Sequence, residues 1–125
     1  NVLRNAVAGK RIIMIDDSIV RGTTSDRIVR MLREAGAREV HMRVSSPPFL
    51  YPCYFGTDVP AREQLIAYNR SVEEIRRIIG ADSLAYLRID RLSEMAEGLP
   101  ICSGCFTGKY PVEPPGEDIR GDYIR

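Results

Sequence analysis

Apolar and polar positions along the chain alternate in a way that is typical of strands and helices following one another in an α/β fold. Residues 12–15 form a continuous apolar run, which predicts a strand covered on both faces in a parallel sheet. Residues 25–35 repeat apolar positions at helical spacing, and Gly36 is placed to end that helix. A second strand is predicted at residues 40–44 and completes a strand, helix, strand unit. Such a unit requires a right-handed crossover and a parallel strand pair.

The clearest helix signal in the second half of the chain spans residues 72–79. Ser71 and Glu74 have the spacing of a capping box at its start, and Gly80 follows its last turn. Helical spacing also predicts that one face of this helix is buried. The residues predicted on that face are Val72, Ile75 and Ile79.

The remaining segments give weaker signals. The proline-rich residues 47–60 predict a loop, and Pro60 stands near the entry of a predicted helix at residues 62–68. Residues 84–87 predict either a short strand or a helical turn, and residues 90–97 predict a helix.

Composition excludes several classes of function. The chain has 125 residues, 44% of them hydrophobic, and a net charge of +1, which suits one modest domain and gives no basic footprint for a nucleic acid. It shows no apolar stretch of membrane-spanning length and no charged-then-apolar signal pattern. The sequence therefore predicts a cytoplasmic protein whose partners include no nucleic acid and no membrane.

A small, hydroxyl-rich loop follows the first strand and has the composition of a phosphate cradle. Gly22 allows the backbone to approach a ligand closely, and the hydroxyls of Ser18, Thr23 and Thr24 can donate hydrogen bonds beside the backbone amides. We expect a helix to begin at Thr24 or Ser25, and its N-terminal dipole would attract an anion further. The loop lies at the carboxyl end of the strand, which is where open α/β sheets bind ligands.

Asp16 and Asp17 stand at the mouth of this loop, where they cannot bind a phosphate directly. Two adjacent carboxylates suit the neighbouring hydroxyls of a ribose, or a Mg²⁺ ion that bridges a polyphosphate. Arg21 either contacts a pyrophosphate or is solvated or paired with a carboxylate. The loop matches neither a Walker motif nor a dinucleotide fingerprint. The plainer alternative is a turn in which Asp17 and Ser18 satisfy only local backbone donors.

The three cysteines form a second candidate site. Cys102 and Cys105 are a Cys-x-x-Cys pair, and Cys53 lies in the proline-rich loop. An odd number of cysteines argues against a disulfide framework and leaves a metal or cluster site, a redox pair, or buried thiols open. A Zn²⁺ site is one form of the metal alternative, although His41, in the second strand, is a poor fourth ligand.

The segment at residues 16–24 resembles the 5-phosphoribosyl-1-pyrophosphate (PRPP) signature of type I phosphoribosyltransferases, because Asp-Asp-Ser-Ile-Val-Arg-Gly-Thr-Thr follows an apolar strand. This variant of the signature is most similar to that of the amidophosphoribosyltransferase family. The resemblance covers nearly the whole chain, except for the tail after Pro111. Further segments that resemble the family, in its order, are residues 45–48, 51–58, 71–76, 80–84 and 105–111.

The resemblance implies an α/β fold with an incomplete parallel sheet of the type I phosphoribosyltransferase kind and a helical, loop-rich C-terminal region. Residues 1–50 would be the C-terminal part of the phosphoribosyltransferase domain, residues 51–112 the helical and loop-rich region with the cysteine ligands, and residues 113–125 a tail. The first strand would lie in the middle of the family's domain. We therefore expect the chain to be the C-terminal portion of a longer protein.

The resemblance also implies an activity. The family forms 5-phosphoribosylamine, pyrophosphate and glutamate from PRPP, glutamine and water, as the first committed step of purine biosynthesis. Ammonia released from glutamine by an N-terminal domain would attack C1 of PRPP, purine nucleotides would inhibit, and the protein would be a homo-oligomer. The alternative is a PRPP-binding regulatory protein of the same fold that does not turn PRPP over.

The resemblance assigns ligands to individual residues. Asp16 and Asp17 would bind Mg²⁺ as well as substrate. Some members of the family hold a [4Fe–4S] cluster with four cysteines, and the ligands here would be Cys53, Cys102 and Cys105, with a fourth cysteine upstream of the chain. The residues expected to bind PRPP are Asp16, Asp17, Ser18, Ile19, Val20, Arg21, Gly22, Thr23 and Thr24.

Overall fold

The computed structural model of the protein describes residues 3–59 and 61–114. Its helices and strands follow the alternating order that the sequence predicts. Along the chain they are α1 (Arg4–Val7), β1 (Arg11–Asp16), α2 (Thr23–Glu34), β2 (Glu39–Val44), a 3-10 turn (Arg62–Gln64), α3 (Val72–Ile79), β3 (Ser83–Tyr86), α4 (Ile89–Met95) and α5 (Gly104–Thr107).

The three strands form one parallel sheet in the order β1, β2, β3. Ile12 of β1 lies opposite Val40 of β2, and Val44 of β2 lies opposite Tyr86 of β3. The predicted strand, helix, strand unit is therefore confirmed, and the ambiguous segment at residues 84–87 is a strand. All three strands end at the same edge of the sheet, as parallel strands must.

Helices α2 and α3 pack on one face of this sheet and bury a main core. The alternation of side chains along β2 places Val40, Met42 and Val44 on that face, where each is at most 4% exposed. The buried members of the main core are Val7, Ile19, Val29, Leu32, Val40, Met42, Val44, Ile66, Ala67, Ile75, Ile79 and Ala81.

The expectation that β1 is covered on both faces is wrong for this structure. Ile12 and Met14 pack against the main core, but Ile13 and Ile15 are 67% and 76% exposed. The reason is that β1 is an edge strand and that both α2 and α3 lie on the opposite face from Ile13. An unbroken apolar run predicts that both faces can be buried, whereas the packing partners decide whether they are.

Helix α3 has the predicted ends. The Ser71 hydroxyl accepts a hydrogen bond from the Glu74 amide at 3.2 Å, and the Glu74 carboxylate accepts one from the Ser71 amide at 2.7 Å, which completes the capping box. Gly80 ends the helix at a φ of 72°. Val72 is a correction, because it is 43% exposed, whereas Ile75 and Ile79 are buried. Val72 lies in the first turn, at the rim of an open cavity of about 430 Å³, and not over the sheet.

The helix predicted at residues 62–68 is also wrong. Only a 3-10 turn forms there, and the chain becomes extended at Leu65, with a ψ of 127°. Leu65, Ile66 and Ala67 are all buried, at 0%, 4% and 4% exposure. The backbone turns again at residues 66–69, where the Tyr68 amide donates to the Leu65 carbonyl at 3.1 Å. Three successive buried residues do not fit the single buried face of a surface helix. Pro60, the expected entry of the helix, lies outside the described residues.

The second core is smaller and lies beside the proline-rich loop. Leu65 is part of it, while its neighbour Ile66 belongs to the main core, so the buried segment at residues 65–67 joins the two. Residues 47–59 contain no helix or strand, as predicted. The buried members of the second core are Phe49, Val59 and Leu65, and the residues packed against them are Val20, Cys53, Tyr68, Cys105 and Phe106.

Helix α4 agrees with the helix predicted at residues 90–97, whereas the one-turn helices α1 and α5 were not predicted. Within residues 3–59 and 61–114, no helix has both the length and the apolar character needed to cross a membrane. Most of the predicted tail at residues 113–125 lies outside the described residues.

Candidate functional site

The carboxyl end of β1 opens into a cavity of about 360 Å³. All nine residues that the sequence predicts as ligands line this one cavity, together with two that it did not identify, Ser25 and Asp58. Asp58 lies in the loop that follows β2, the parallel neighbour of β1. The lining residues are Asp16, Asp17, Ser18, Ile19, Val20, Arg21, Gly22, Thr23, Thr24, Ser25 and Asp58.

The N-terminus of α2 faces this cavity with uncapped backbone amides. Gly22 is the N-cap residue and has no side chain to cap the helix, and the first helical hydrogen bond runs from the Asp26 amide to the Gly22 carbonyl at 2.9 Å. The amides of the first turn therefore have no carbonyl partner within the helix. Together with the helix dipole, they form a site that favours an anion such as a phosphate.

Gly22 is required by both conformation and space. Its φ of +84° lies in the left-handed region, which L side chains rarely adopt. A Cβ atom at this position would lie 2.3 Å from Cδ1 of Ile66, which is far inside van der Waals contact. The loop can therefore follow this path only with glycine at its turn. Ile19 anchors the other end of the loop, because it is 2% exposed and part of the main core.

The two aspartates are fixed by local and sheet contacts. The Asp16 carbonyl accepts hydrogen bonds from the amide and the hydroxyl of Ser45, at 2.9 and 3.2 Å, which tie it to the end of β2. The Asp16 carboxylate accepts from the Asp17 amide at 3.0 Å, and the Asp17 carboxylate accepts from the Ser18 hydroxyl at 3.2 Å. Local hydrogen bonds are thus present, but the carboxylate that accepts from a backbone amide is that of Asp16, and not that of Asp17 as in the plainer alternative. Each uses one oxygen of its carboxylate, so the other oxygen remains available for a ligand.

The donor set at the cavity suits Mg²⁺ bound partly by a substrate. Asp16 and Asp17 offer hard carboxylate oxygens, the ligand type that Mg²⁺ prefers. Within the described part of the chain, no group of three or more His, Cys, Asp or Glu residues is arranged to hold a metal ion. Mg²⁺ commonly combines one or two carboxylates with substrate phosphates and water, so two aspartates are sufficient.

Arg21 is exposed at the rim of the cavity. Its guanidinium forms no ion pair with a carboxylate of residues 3–59 or 61–114, whereas several arginines on the helices do, such as Arg30 with Asp26 and Arg76 with Glu73. The alternative that Arg21 is paired with a carboxylate is therefore not observed, and its charge is directed to solvent or to a ligand.

The cysteines are only partly brought together. Cys53 and Cys105 are both half-buried against the second core, and the Cys105 carbonyl accepts hydrogen bonds from the amides of Leu50 and Tyr51, each at 3.0 Å. Cys102 is exposed. The thiols have the soft chemistry that an iron–sulfur cluster requires, but the described residues do not assemble three of them into a metal site.

The surroundings of the two half-buried thiols shift their pKa values in opposite directions. Burial acts to raise the pKa of Cys53, but hydrogen bonds from the backbone amides of Phe55, Thr57 and Gly56 and from the Thr57 side chain outweigh it, so the pKa is lowered. The Phe55 amide donates to Cys53 Sγ at 3.5 Å. Burial, reinforced by the nearby Cys53 thiol, raises the pKa of Cys105 to about 11. Cys53 thus ionises more readily than an ordinary cysteine, and Cys105 less readily.

His41 is a structural residue, as expected for a lone histidine in a strand. One ring nitrogen lies 2.9 Å from the Ser83 hydroxyl and the other lies 2.9 Å from the Glu39 carboxylate. Both nitrogens are therefore occupied on the sheet, and His41 is not available as a fourth metal ligand.

Comparisons with known proteins agree on one family. The chain is 55% identical over 124 residues to an amidophosphoribosyltransferase of Archaeoglobus fulgidus, which covers 96% of this chain and 27% of that protein. It is 53% identical over 119 residues to the amidophosphoribosyltransferase of Bacillus subtilis, covering 90% of this chain and 25% of that protein. No protein-family model matches the chain.

A solved structure gives the same result for the fold. The glutamine PRPP amidotransferase from Bacillus subtilis complexed with ADP and GMP superposes with a TM-score of 0.83 at 52% identity, over 92% of this chain and 27% of that one. The chain thus spans about a quarter of the length of the relatives it matches.

Proposed function

This chain belongs to the amidophosphoribosyltransferase family over the part of those proteins that it spans, and from this we propose that it carries the PRPP-binding part of such an enzyme. The reaction of the whole protein would convert PRPP, glutamine and water into 5-phosphoribosylamine, pyrophosphate and glutamate. We also propose that the whole protein is a homo-oligomer and is located in the cytoplasm.

The observation that carries this proposal is the cavity at the carboxyl end of β1 and the N-terminus of α2. All nine residues of the PRPP signature line it, and the backbone there combines uncapped amides with a left-handed glycine. Phosphate binding at helix N-termini has a direct physical basis in the dipole and the free N–H groups. Asp16 and Asp17 line the same cavity, where they would meet the ribose that carries this phosphate.

In the proposed reaction, the amides of residues 22–25 and the hydroxyls of Ser18, Thr23 and Thr24 hold the 5-phosphate of PRPP. Asp16 and Asp17 orient the ribose hydroxyls or hold Mg²⁺. The bond from C1 to the pyrophosphate oxygen breaks as the lone pair of ammonia forms the new C1–N bond. Positive charge develops on the ribose in this step, so fixed carboxylates nearby would stabilise it.

Mg²⁺, when bound, would neutralise the pyrophosphate leaving group. The chain itself need not supply a general base, because ammonia is already a nucleophile and gives up its extra proton after the bond has formed. Arg21 is exposed at the rim and has no carboxylate partner among the described residues, which supports the proposal that it contacts the pyrophosphate. The protein's contribution is then mainly positioning and electrostatics.

We also propose that Cys53, Cys102 and Cys105 are ligands of an iron–sulfur cluster. What supports this is the half-buried pair of Cys53 and Cys105 in the second core and the amide hydrogen bonds that favour a thiolate at Cys53. A bound cluster would join the proline-rich loop to α5 and stabilise that region.

Purine nucleotides would compete with PRPP for the phosphate cradle. The support is that the Bacillus subtilis relative was solved in complex with ADP and GMP, both of which carry a 5′-phosphate on a ribose. Residues 16–25 would bind the ribose 5-phosphate that these nucleotides share with PRPP.

The test is the double substitution Asp16→Asn and Asp17→Asn in the full-length protein, because these changes keep size and remove charge. Pyrophosphate release from PRPP is expected to fall by roughly a hundredfold or more, while basal glutamate release from glutamine in the absence of PRPP persists. A matched control is Asp90→Asn with Glu94→Gln on the exposed surface of α4. Undiminished pyrophosphate release in the Asp16 and Asp17 variant would contradict the proposal.

A further inference from the structure

The buried segment at residues 65–67 packs against the phosphate loop. Its three residues are almost completely buried, and successive side chains enter different cores, Leu65 the second core and Ile66 the main core. A segment fixed from both sides in this way is rigid in comparison with a surface loop.

Ile66 contacts the phosphate loop through both its backbone and its side chain. Its amide donates a hydrogen bond to the Val20 carbonyl at 2.8 Å. Its Cδ1 lies where a side chain of Gly22 would have to be, 2.3 Å from the position of a Cβ atom there, with Cγ1 at 3.4 Å and Cβ at 3.7 Å. The backbone of the turn therefore rests on the end of the Ile66 side chain.

The contact bears on ligand binding because Gly22 is the N-cap of α2. The direction of the amides at residues 22–25 depends on the path of the backbone through Gly22, and hydrogen bonds to an anion weaken steeply when their angle changes. A residue that fixes this path controls how well the amides converge on one point. Displacements of an ångström in a positioning contact are known to cost large factors in turnover or binding.

We propose that Ile66 is a positioning residue for the 5-phosphate of PRPP, acting through Val20 and Gly22 and not by touching the ligand. This inference rests on the proposed function for the identity of the ligand. The claim that Ile66 holds the loop is independent of the proposed function. Neither the PRPP signature nor the cysteine pattern includes this residue.

The test is Ile66→Val in the full-length protein, because this change removes only the Cδ1 atom that approaches Gly22. The matched control is Ile75→Val on α3, which removes the same atom from a residue of the main core that is 1% exposed. Both variants should lose a similar amount of thermal stability. We expect the KM for PRPP to rise roughly fivefold in the Ile66 variant with kcat nearly unchanged, and neither to change in the Ile75 variant.

Amide hydrogen exchange provides a readout that does not depend on PRPP. Exchange of the amides of residues 26 and 66, which donate to the carbonyls of Gly22 and Val20, should become faster in Ile66→Val without ligand, and remain at the wild-type rate in Ile75→Val. Equal exchange in the two variants, or an unchanged KM for PRPP beside measurable turnover, would overturn the inference. If the wild-type protein binds no PRPP, the proposed function fails, and the exchange rates still decide whether Ile66 holds the loop.

Discussion

The carboxylate of Asp82, in the turn between α3 and β3, accepts a hydrogen bond from the backbone amide of Val40 in β2 at 2.6 Å. The same oxygen accepts from the Arg33 guanidinium, near the end of α2, at 2.9 Å. One side chain thus joins the start of β2, the end of α2 and the start of β3. This contact fixes the relative position of the elements that hold the main core. It lies at the amino ends of the strands, whereas the candidate site lies at their carboxyl ends.

Replacing Asp82 with Ala is expected to lower the free energy of unfolding by about 1–2 kcal/mol, because a charge-assisted hydrogen bond to a backbone amide is lost. The exposed ion pair with Arg33 adds little. Urea unfolding at pH 7 measures the change. The control is Glu94→Ala, which removes an exposed partner of Arg91 on α4 and should change stability by less than about 0.5 kcal/mol.

Acidic pH should remove the contribution of the Asp82 carboxylate to the free energy of unfolding. The Val40 amide, opposed by partial burial and assisted by Arg33, lowers the pKa of Asp82 below its usual 3.8. Stability gained from a depressed pKa is present above the unfolded value and is lost as the pH falls through the folded one. The difference between wild type and Asp82→Ala should therefore be full at pH 7 and shrink below pH 3.8. A difference that stayed constant down to pH 2 would show that charge on Asp82 is irrelevant.

Replacing Gly22 with Ala should be more costly than the same change at another left-handed glycine. Gly98 has a φ of +81° and nothing within 4 Å of an added Cβ, so Gly98→Ala measures the conformational cost alone, about 1 kcal/mol. Gly22→Ala adds the clash with Ile66 and should cost about 2–3 kcal/mol in total. Thermal unfolding of the two variants compares them. Equal losses would mean that the loop moves away from Ile66 without cost.

The elements around the site could be predicted because they depend on local pattern. The apolar run of β1, the glycine turn at Gly22 and the capping box of Ser71 and Glu74 are each encoded within a few residues. The exposure of Ile13 and the extended path at Leu65 could not be predicted in this way. Both depend on which distant elements pack against them, and tertiary packing overrides a local preference for helix or for burial.

The candidate site likewise consists of residues that a local pattern identifies and residues that only the fold brings together. Residues 16–24 are contiguous, so a motif can identify them. Asp58 and Ile66 reach the loop from segments far along the chain, and only the fold brings them there. A carboxylate in the loop after the neighbouring parallel strand was the one available signal for Asp58. For Ile66, an apolar residue in an apolar segment, the sequence carried no such signal.

The thiols of Cys53 and Cys105 should differ in reactivity in the metal-free protein. Burial acts to raise the pKa of Cys53, but the surrounding amides outweigh it and lower the pKa. Burial raises the pKa of Cys105 to about 11. Because the thiolate is the nucleophile, iodoacetamide at pH 8 should modify Cys53 faster than Cys105 in chelator-treated protein. Mass spectrometry of the peptides measures both rates. Anaerobic reconstitution with iron and sulfide should protect Cys53, Cys102 and Cys105 together, and a lack of protection at all three would contradict the cluster assignment.

The central claim is that the cavity at the N-terminus of α2 binds the 5-phosphate and ribose of PRPP. The most direct measurement is a crystal structure of the full-length protein with Mg²⁺ and a carbocyclic PRPP analogue that cannot lose pyrophosphate. We predict the 5-phosphate within hydrogen-bond distance of the amides of residues 22–25, and the ring hydroxyls or Mg²⁺ at Asp16 and Asp17. An analogue bound elsewhere, with this cavity holding only solvent, would contradict the account.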